Sequence, residues 1–265
     1  MKVVTAYPDG LFNWVDLTTS DQEGAKAFYG GLFGWEAVDM PTPMGPMYTM
    51  FRIQGYNVAG GGPLPPDMVA QGIPPYWMSY VKHSDVDSVV AKAAAAGGTV
   101  VMPAMDVMEE GRMALIQDPT GAMFGVWQPQ NHMGAQLVNM NNTLVWNELE
   151  TRDAKTAAAF YATVFGWTYS QDPSGYHTFA NDGRVQAGMM EMDDSWGPMP
   201  PSWSAYFMVA DIQATVAKAQ ELGGKILLPF TKAGEMGTFA VIQDPQGAVF
   251  TAMQFDGPVD EPPGF

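Results

Sequence analysis

The chain has 265 residues, enough for two domains of ordinary size, each with its own core. Twenty-eight acidic residues against twelve basic ones give a formal charge of −16, a surface that repels phosphate backbones and anionic lipid headgroups. Neither nucleic acid nor a membrane is therefore an expected partner, and the absence of cysteine excludes disulfides, thiolate nucleophiles and cysteine-held metals.

Met1-Lys2-Val3-Val4 runs quickly into Tyr7-Pro8-Asp9-Gly10, so no apolar core for a secretory leader is present and cytoplasmic residence is the expectation. Phe12–Thr18 reads as a strand. Ser20 with Glu23 has the spacing of a capping box, opening a helix that runs to Phe33 and stops at Gly34, a residue suited to the left-handed conformation. Two strands follow, Tyr48–Ile53 and Tyr56–Gly60. A third begins at Trp77 and reaches Lys82. Asp85 can cap the helix Val86–Ala96, which ends at Gly97-Gly98. The last hairpin places Arg112–Gln117 against Ala122–Trp127, joined by Asp118-Pro119-Thr120-Gly121, whose Asp, Pro and Gly occupy the positions a type I turn favours.

The rest of the chain says this again. Phe12–Trp35 matches Leu144–Trp167 at an offset of 132, and Pro74–Gln128 matches Pro200–Gln254 without gaps at an offset of 126. The predicted organisation is two modules, residues 1–132 and 133–265, with a seam near Asn131–Asn142. The predicted class is α+β: four βαβββ units forming two half-barrel modules. A curved sheet closed in this way offers an internal cavity to a small molecule. Four units in one chain suffice to close both cavities, so a monomer or a weak homodimer is expected.

These residues resemble the vicinal oxygen chelate superfamily, which includes glyoxalase I, bleomycin-resistance proteins and extradiol dioxygenases. The resemblance rests on the strand before Asp21, on Phe28-Tyr29 and Leu32-Phe33-Gly34-Trp35, on the Gly97-Gly98 helix end and on the Asp118-Pro119-Thr120-Gly121 hairpin, each with a counterpart in the second copy. Catalytic members hold a divalent metal through His, Glu or Gln on the strands. Carried onto this chain, the first-strand ligand position falls on Trp14 and Trp146, the last-strand position on Gly125 and Thr251, and the remaining one near Met78 and Ser204. Those side chains are poor ligands for a hard or borderline cation. The three histidines, His83, His132 and His177, have no close ligand spacing. The expectation is accordingly no metal and no cofactor.

Alternate residues of a strand share a face. If Trp14 points inward, so do Asp16 and Thr18; in the second copy the same face carries Trp146, Glu148 and Glu150. Carboxylates on an inward face are costly unless bonded. Asp16 and Glu148 are therefore the candidate catalytic residues, acting as general bases, or else acceptors of structural hydrogen bonds. Trp14, Tyr48, Tyr80, Arg112, Trp146, Glu150, Tyr176 and Tyr206 are the candidate ligand contacts, with packing as the alternative for the aromatic residues. Arg112 has Thr238 as its counterpart, and Gly61-Gly62-Pro63-Leu64 aligns with Met189-Met190-Glu191-Met192, so the two cavities are expected to differ, one accepting an anion, with a plain surface position as the alternative for Arg112. No phosphate loop follows Gly60-Gly61-Gly62. The function expected first is metal-free binding of a small molecule. A metal-independent lyase or isomerase using Asp16 or Glu148 comes second, and a metal-dependent glyoxalase or dioxygenase third.

Overall fold

The computed structural model describes residues 2–42 and 45–257. In the first copy β1 (Phe12–Thr19), α1 (Gln22–Phe33), β2 (Glu36–Met40), β3 (Tyr48–Ile53) and β4 (Tyr56–Pro63) form one unit. A short α2 (Pro66–Ala70) leads to the second unit: β5 (Tyr76–Lys82), α3 (Val86–Ala95), β6 (Thr99–Val107), β7 (Gly111–Gln117) and β8 (Met123–Pro129). The second copy repeats the plan with β9 (Leu144–Thr151), α4 (Ala154–Phe165), β10 (Thr168–Gln171), β11 (His177–Asn181) and β12 (Arg184–Glu191). It continues with β13 (Ser202–Met208), α5 (Ile212–Glu221), β14 (Lys225–Lys232), β15 (Gly237–Gln243) and β16 (Val249–Phe255). The class is α+β, two tandem modules of two βαβββ units each.

Each module is one eight-stranded mixed sheet, ordered β2-β3-β4-β1-β5-β8-β7-β6 and β10-β11-β12-β9-β13-β16-β15-β14. The first strand of each unit sits at the centre, β1 antiparallel to β5 and β9 antiparallel to β13. Candidate residues on these four strands are thereby brought to the middle of a concave sheet.

The helices start and stop where local chemistry requires. Asp21 rather than Ser20 caps α1, its side chain accepting from the Gly24 N–H, and Gly34 ends it in the left-handed region at φ 71°. The cap sits one residue later than the capping-box spacing suggests because the chain remains in the strand through Thr19. Asp85 caps α3 as expected, accepting from the Ser88 N–H.

The helices lie between the two sheets and join them. One core combines Leu17, Phe28, Tyr29 and Phe51 of the first module with Phe207, Ile242 and Phe250 of the second. The other combines Val89, Ile116 and Phe124 with Phe160, Tyr161 and Trp167. Burial of these aromatic side chains, each worth about 1.5–3 kcal/mol against exposure, is shared across the module boundary. A polar lock runs through each core. The Tyr29 hydroxyl donates to Asp244 Oδ2 at 2.9 Å and accepts from Trp77 Nε1 at 3.0 Å. Its counterpart, Tyr161, donates to Asp118 Oδ2 at 2.9 Å and accepts from Trp203 Nε1 at 2.7 Å. The hairpin aspartates thus do two tasks, because the other oxygen of Asp118 accepts the N–H groups of Thr120, Gly121 and Ala122 within its own turn.

No helix among the described residues is long and apolar enough to cross a membrane.

Candidate functional site

The concave faces carry one arrangement twice. In the first module Trp14 Nε1 donates to the Tyr48 hydroxyl at 3.1 Å, and Tyr48 donates to Asp16 Oδ2 at 3.4 Å. Tyr80 reaches the same carboxylate from the neighbouring strand at 3.3 Å. In the second module Trp146 Nε1 donates to Tyr176 at 3.2 Å, while Tyr176 and Tyr206 donate to the two oxygens of Glu148 at 2.5 and 2.6 Å. The registers explain the match: Trp14 lies opposite Tyr80 and Asp16 opposite Gly60, as Trp146 lies opposite Tyr206 and Glu148 opposite Gly188. Gly60 and Gly188 make room for the tyrosines. A Cβ at either would overlap the hydroxyl of Tyr48 or Tyr176.

The faces differ around this shared chain. The second adds Glu150, whose Oε2 accepts from Ser204 at 3.0 Å and Ser202 at 3.4 Å. The positions of Glu150, Ser202 and Ser204 are held by Thr18, Tyr76 and Met78 in the first. Glu148 and Glu150 are buried, whereas Asp16 and Tyr76 keep part of their surface exposed.

Burial sets the protonation of these groups. It raises the Asp16 carboxyl to about 7, although the Tyr80 and Tyr48 hydroxyls pull the other way by bonding the ionised form. Glu148 is likewise raised by burial against its two tyrosine donors. Glu150 is raised further, by burial and then by the neighbouring charge of Glu148. The carboxylates in turn push Tyr48, Tyr80 and Tyr206 upward, beyond the effect of burial. Each cluster therefore holds neutral phenols around a carboxyl that is reluctant to ionise.

Nine of the ten residues singled out in the sequence are brought together here, in two groups: Trp14, Asp16, Tyr48 and Tyr80; and Trp146, Glu148, Glu150, Tyr176 and Tyr206. Arg112 is not. Its strand neighbours Ala114 and Ile116 belong to the core beneath the helices, and its guanidinium pairs with Asp87 of α3 at 2.9 Å and with Asp106 at 2.9 Å. It is on the helix-covered face, opposite the cleft, with its charge already matched. The idea of an anion-binding cavity built on Arg112 is corrected accordingly.

Packed side chains narrow both hollows. Trp14, Met50, Met78, Tyr80 and Trp127 pack together inside the first half-barrel, and Tyr206, Met208 and Met253 inside the second. Large side chains at these positions occupy volume that smaller ones would leave open. A cavity does lie at the seam between modules, lined by Tyr7, Val138, Asn139, Trp146 and Gln186. The sequence gives one contact no prominence: linker residue His132 sets its ring edge-on to Trp14, centroids 4.4 Å apart, and burial lowers it to about 4. Its imidazole is neutral at neutral pH. Only its place just after the last strand of the module hinted at a cleft position.

A chelated metal does not fit the donors present. Among the described residues no group of three or more His, Asp or Glu side chains converges on one point. Around Asp16 stand an indole that can only donate, phenols raised far above neutrality and a glycine at position 125. His83 accepts the Asp85 N–H beside its helix cap, and His177 bonds Tyr169 at 2.5 Å.

Comparison with known proteins accords with this architecture. The profile of the Glyoxalase/Bleomycin resistance protein/Dioxygenase superfamily matches residues 11–126 and 143–251. CFP32 of Mycobacterium bovis, provisionally named a glyoxylase, is 43% identical over 253 residues, covering 94% of this chain and 96% of its own. The anthracycline biosynthesis protein DauV of Streptomyces sp. strain C5 is 33% identical over 268 residues, covering 95% of each. Among solved structures, the Mn(II)-bound glyoxalase of Novosphingobium aromaticivorans superposes with a TM-score of 0.64 at 16% identity, over 94% of this chain and 85% of that one. The 2,3-dioxygenase LapB of Pseudomonas sp. KL28 does so with a TM-score of 0.64 at 13% identity, over 96% of each. At such identities the likeness is one of fold.

Proposed function

Because the chain belongs to the Glyoxalase/Bleomycin resistance protein/Dioxygenase superfamily, we propose that it binds a small organic molecule at its concave faces without a chelated metal. The observation that carries this reading is the paired Trp–Tyr–carboxylate–Tyr chain at the centre of each sheet. Indole, phenol and carboxyl groups recognise flat, hydroxylated or cationic molecules and are a poor cage for a divalent ion. The anthracycline connection of DauV supports a ring-bearing ligand for this chain as well.

A second reading is favoured by Asp16 alone. A carboxyl raised to about 7 can take and return a proton near neutral pH. With Tyr80 turning its one hydroxyl proton from Asp16 to the developing oxyanion of a bound carbonyl compound as Asp16 takes a proton, the first module would act as a metal-independent isomerase or lyase. The Mn(II)-bound glyoxalase of like fold raises a third chemistry, metal-dependent, which the donor set opposes. Metal analysis of protein purified without chelators separates them: binding or proton transfer predicts substoichiometric divalent metal. One tightly held ion per module would reverse the reading. Loss of turnover in Asp16→Asn, with ligand binding retained, would select the enzyme.

A further inference from the structure

The two concave faces share a plan but not a state of completion. Both oxygens of Glu148 are taken by short tyrosine hydrogen bonds, and Glu150 is bonded by two serines. That face satisfies itself. Among the described residues Asp16 is held by hydroxyls at 3.3–3.4 Å, longer than the usual range for an O–H donor of about 2.5–3.0 Å, and it keeps part of its surface exposed. Its side-chain hydrogen-bond partners among the described residues are tyrosines, and no cationic side chain among them pairs with it. Around it stand Tyr48 on β3, Tyr76 and Tyr80 on β5, and Met78 between the last two. Tyr48 and Tyr76 are themselves partly exposed, whereas Trp14 is covered by His132.

An under-bonded carboxylate rimmed by electron-rich rings and a polarisable thioether is complementary to a cation too weakly hydrated to prefer water. We propose that the first module's concave face binds a small organic ammonium ion, with Asp16 as its counter-ion and Tyr48, Tyr76 and Tyr80 as its walls, while the second module's face is a self-bonded structural counterpart. The inference rests on the concave faces being the ligand-bearing ones and names the module and the ligand class. The acidic surface, at −16 overall, raises the local concentration of such cations. It also fixes a sign for pH: the cation needs the ionised carboxylate, so affinity rises as pH climbs through the Asp16 titration near 7. The groups facing Asp16 are Tyr48, Tyr76 and Tyr80, all raised, with neutral His132 beyond Trp14. None of these titrates in that interval.

The test uses the full chain labelled with carbon-13 at the methionine methyls and titrated with benzyltrimethylammonium, whose charge does not change with pH. Expected are shifts at Met50 and Met78, with affinity increasing from about pH 5.5 to about pH 8.5. Asp16→Asn should weaken binding about tenfold and remove the pH dependence. Should that variant fail to fold, Tyr48→Phe removes one donor to the carboxylate and should move the pH midpoint upward. Equal affinity for neopentylbenzene, the uncharged isostere, overturns the cation class. Shifts at Met208 and Met253 instead overturn the choice of module and leave the concave-face reading standing. No shift at either pair of methyls overturns the ammonium inference alone, because a neutral ligand would still satisfy that reading.

Discussion

Asp16 and Glu148 show how one strand position acquires two behaviours. Both sit opposite a glycine and beneath two tyrosines, yet the longer glutamate reaches its donors at 2.5–2.6 Å while the shorter aspartate stops at 3.3–3.4 Å. Burial alone would raise either group. For Asp16 the consequence for stability has a definite sign. Its folded titration lies near 7 against an ordinary value of 3.8, so the native state holds the proton more tightly. Its contribution to stability is present below about pH 4 and is lost as pH rises to about 7. Asp16→Asn removes this dependence. The variant's melting temperature relative to the parent should therefore be a few degrees higher at about pH 8 than at about pH 5, read by thermal melts at both. An identical difference at the two pH values would contradict the assigned titration.

At the scale of elements, the helices act as bridges, and the tyrosine locks are their polar fastenings. Tyr161→Phe leaves Asp118 Oδ2 and Trp203 Nε1 without their buried partner. The expected loss is about 1–3 kcal/mol, measured by urea unfolding with the slope unchanged. The strands, helices and caps of each copy were largely legible in sequence because their signals are local. Asp85 and Gly34 act as their residue types suggest, and the period of two put Trp14 with Asp16, and Trp146 with Glu148 and Glu150, on one face. The locks were not legible. Asp118 and Asp244 read as turn residues, and nothing local reveals that each also serves a tyrosine in the other module. Arg112 was misread for the same reason, since its partners on α3 and β6 are set by packing. How far packed side chains narrow each half-barrel follows from their volume in three dimensions, which spacing along a strand does not report.

For the whole molecule, the two largest cores lie between the modules. Each contains side chains from both copies, so residues 1–132 alone would expose the apolar face of α1 and of its own sheet. That fragment should show no cooperative melt as a monomer, or should self-associate to restore the missing surface, as measured by calorimetry with analytical ultracentrifugation. A stable, monomeric half would contradict a shared core. The same arrangement leaves both concave sheets facing away from the helices, one with its acid closed off and one with its acid still under-bonded.

Native mass spectrometry of the freshly purified full-length protein bears most directly on the claim that these faces hold an organic molecule. The account predicts a population carrying the added mass of one small organic compound, released on denaturation and depleted in Asp16→Asn. A population whose added mass is that of a divalent metal ion, retained in the variant, would contradict it.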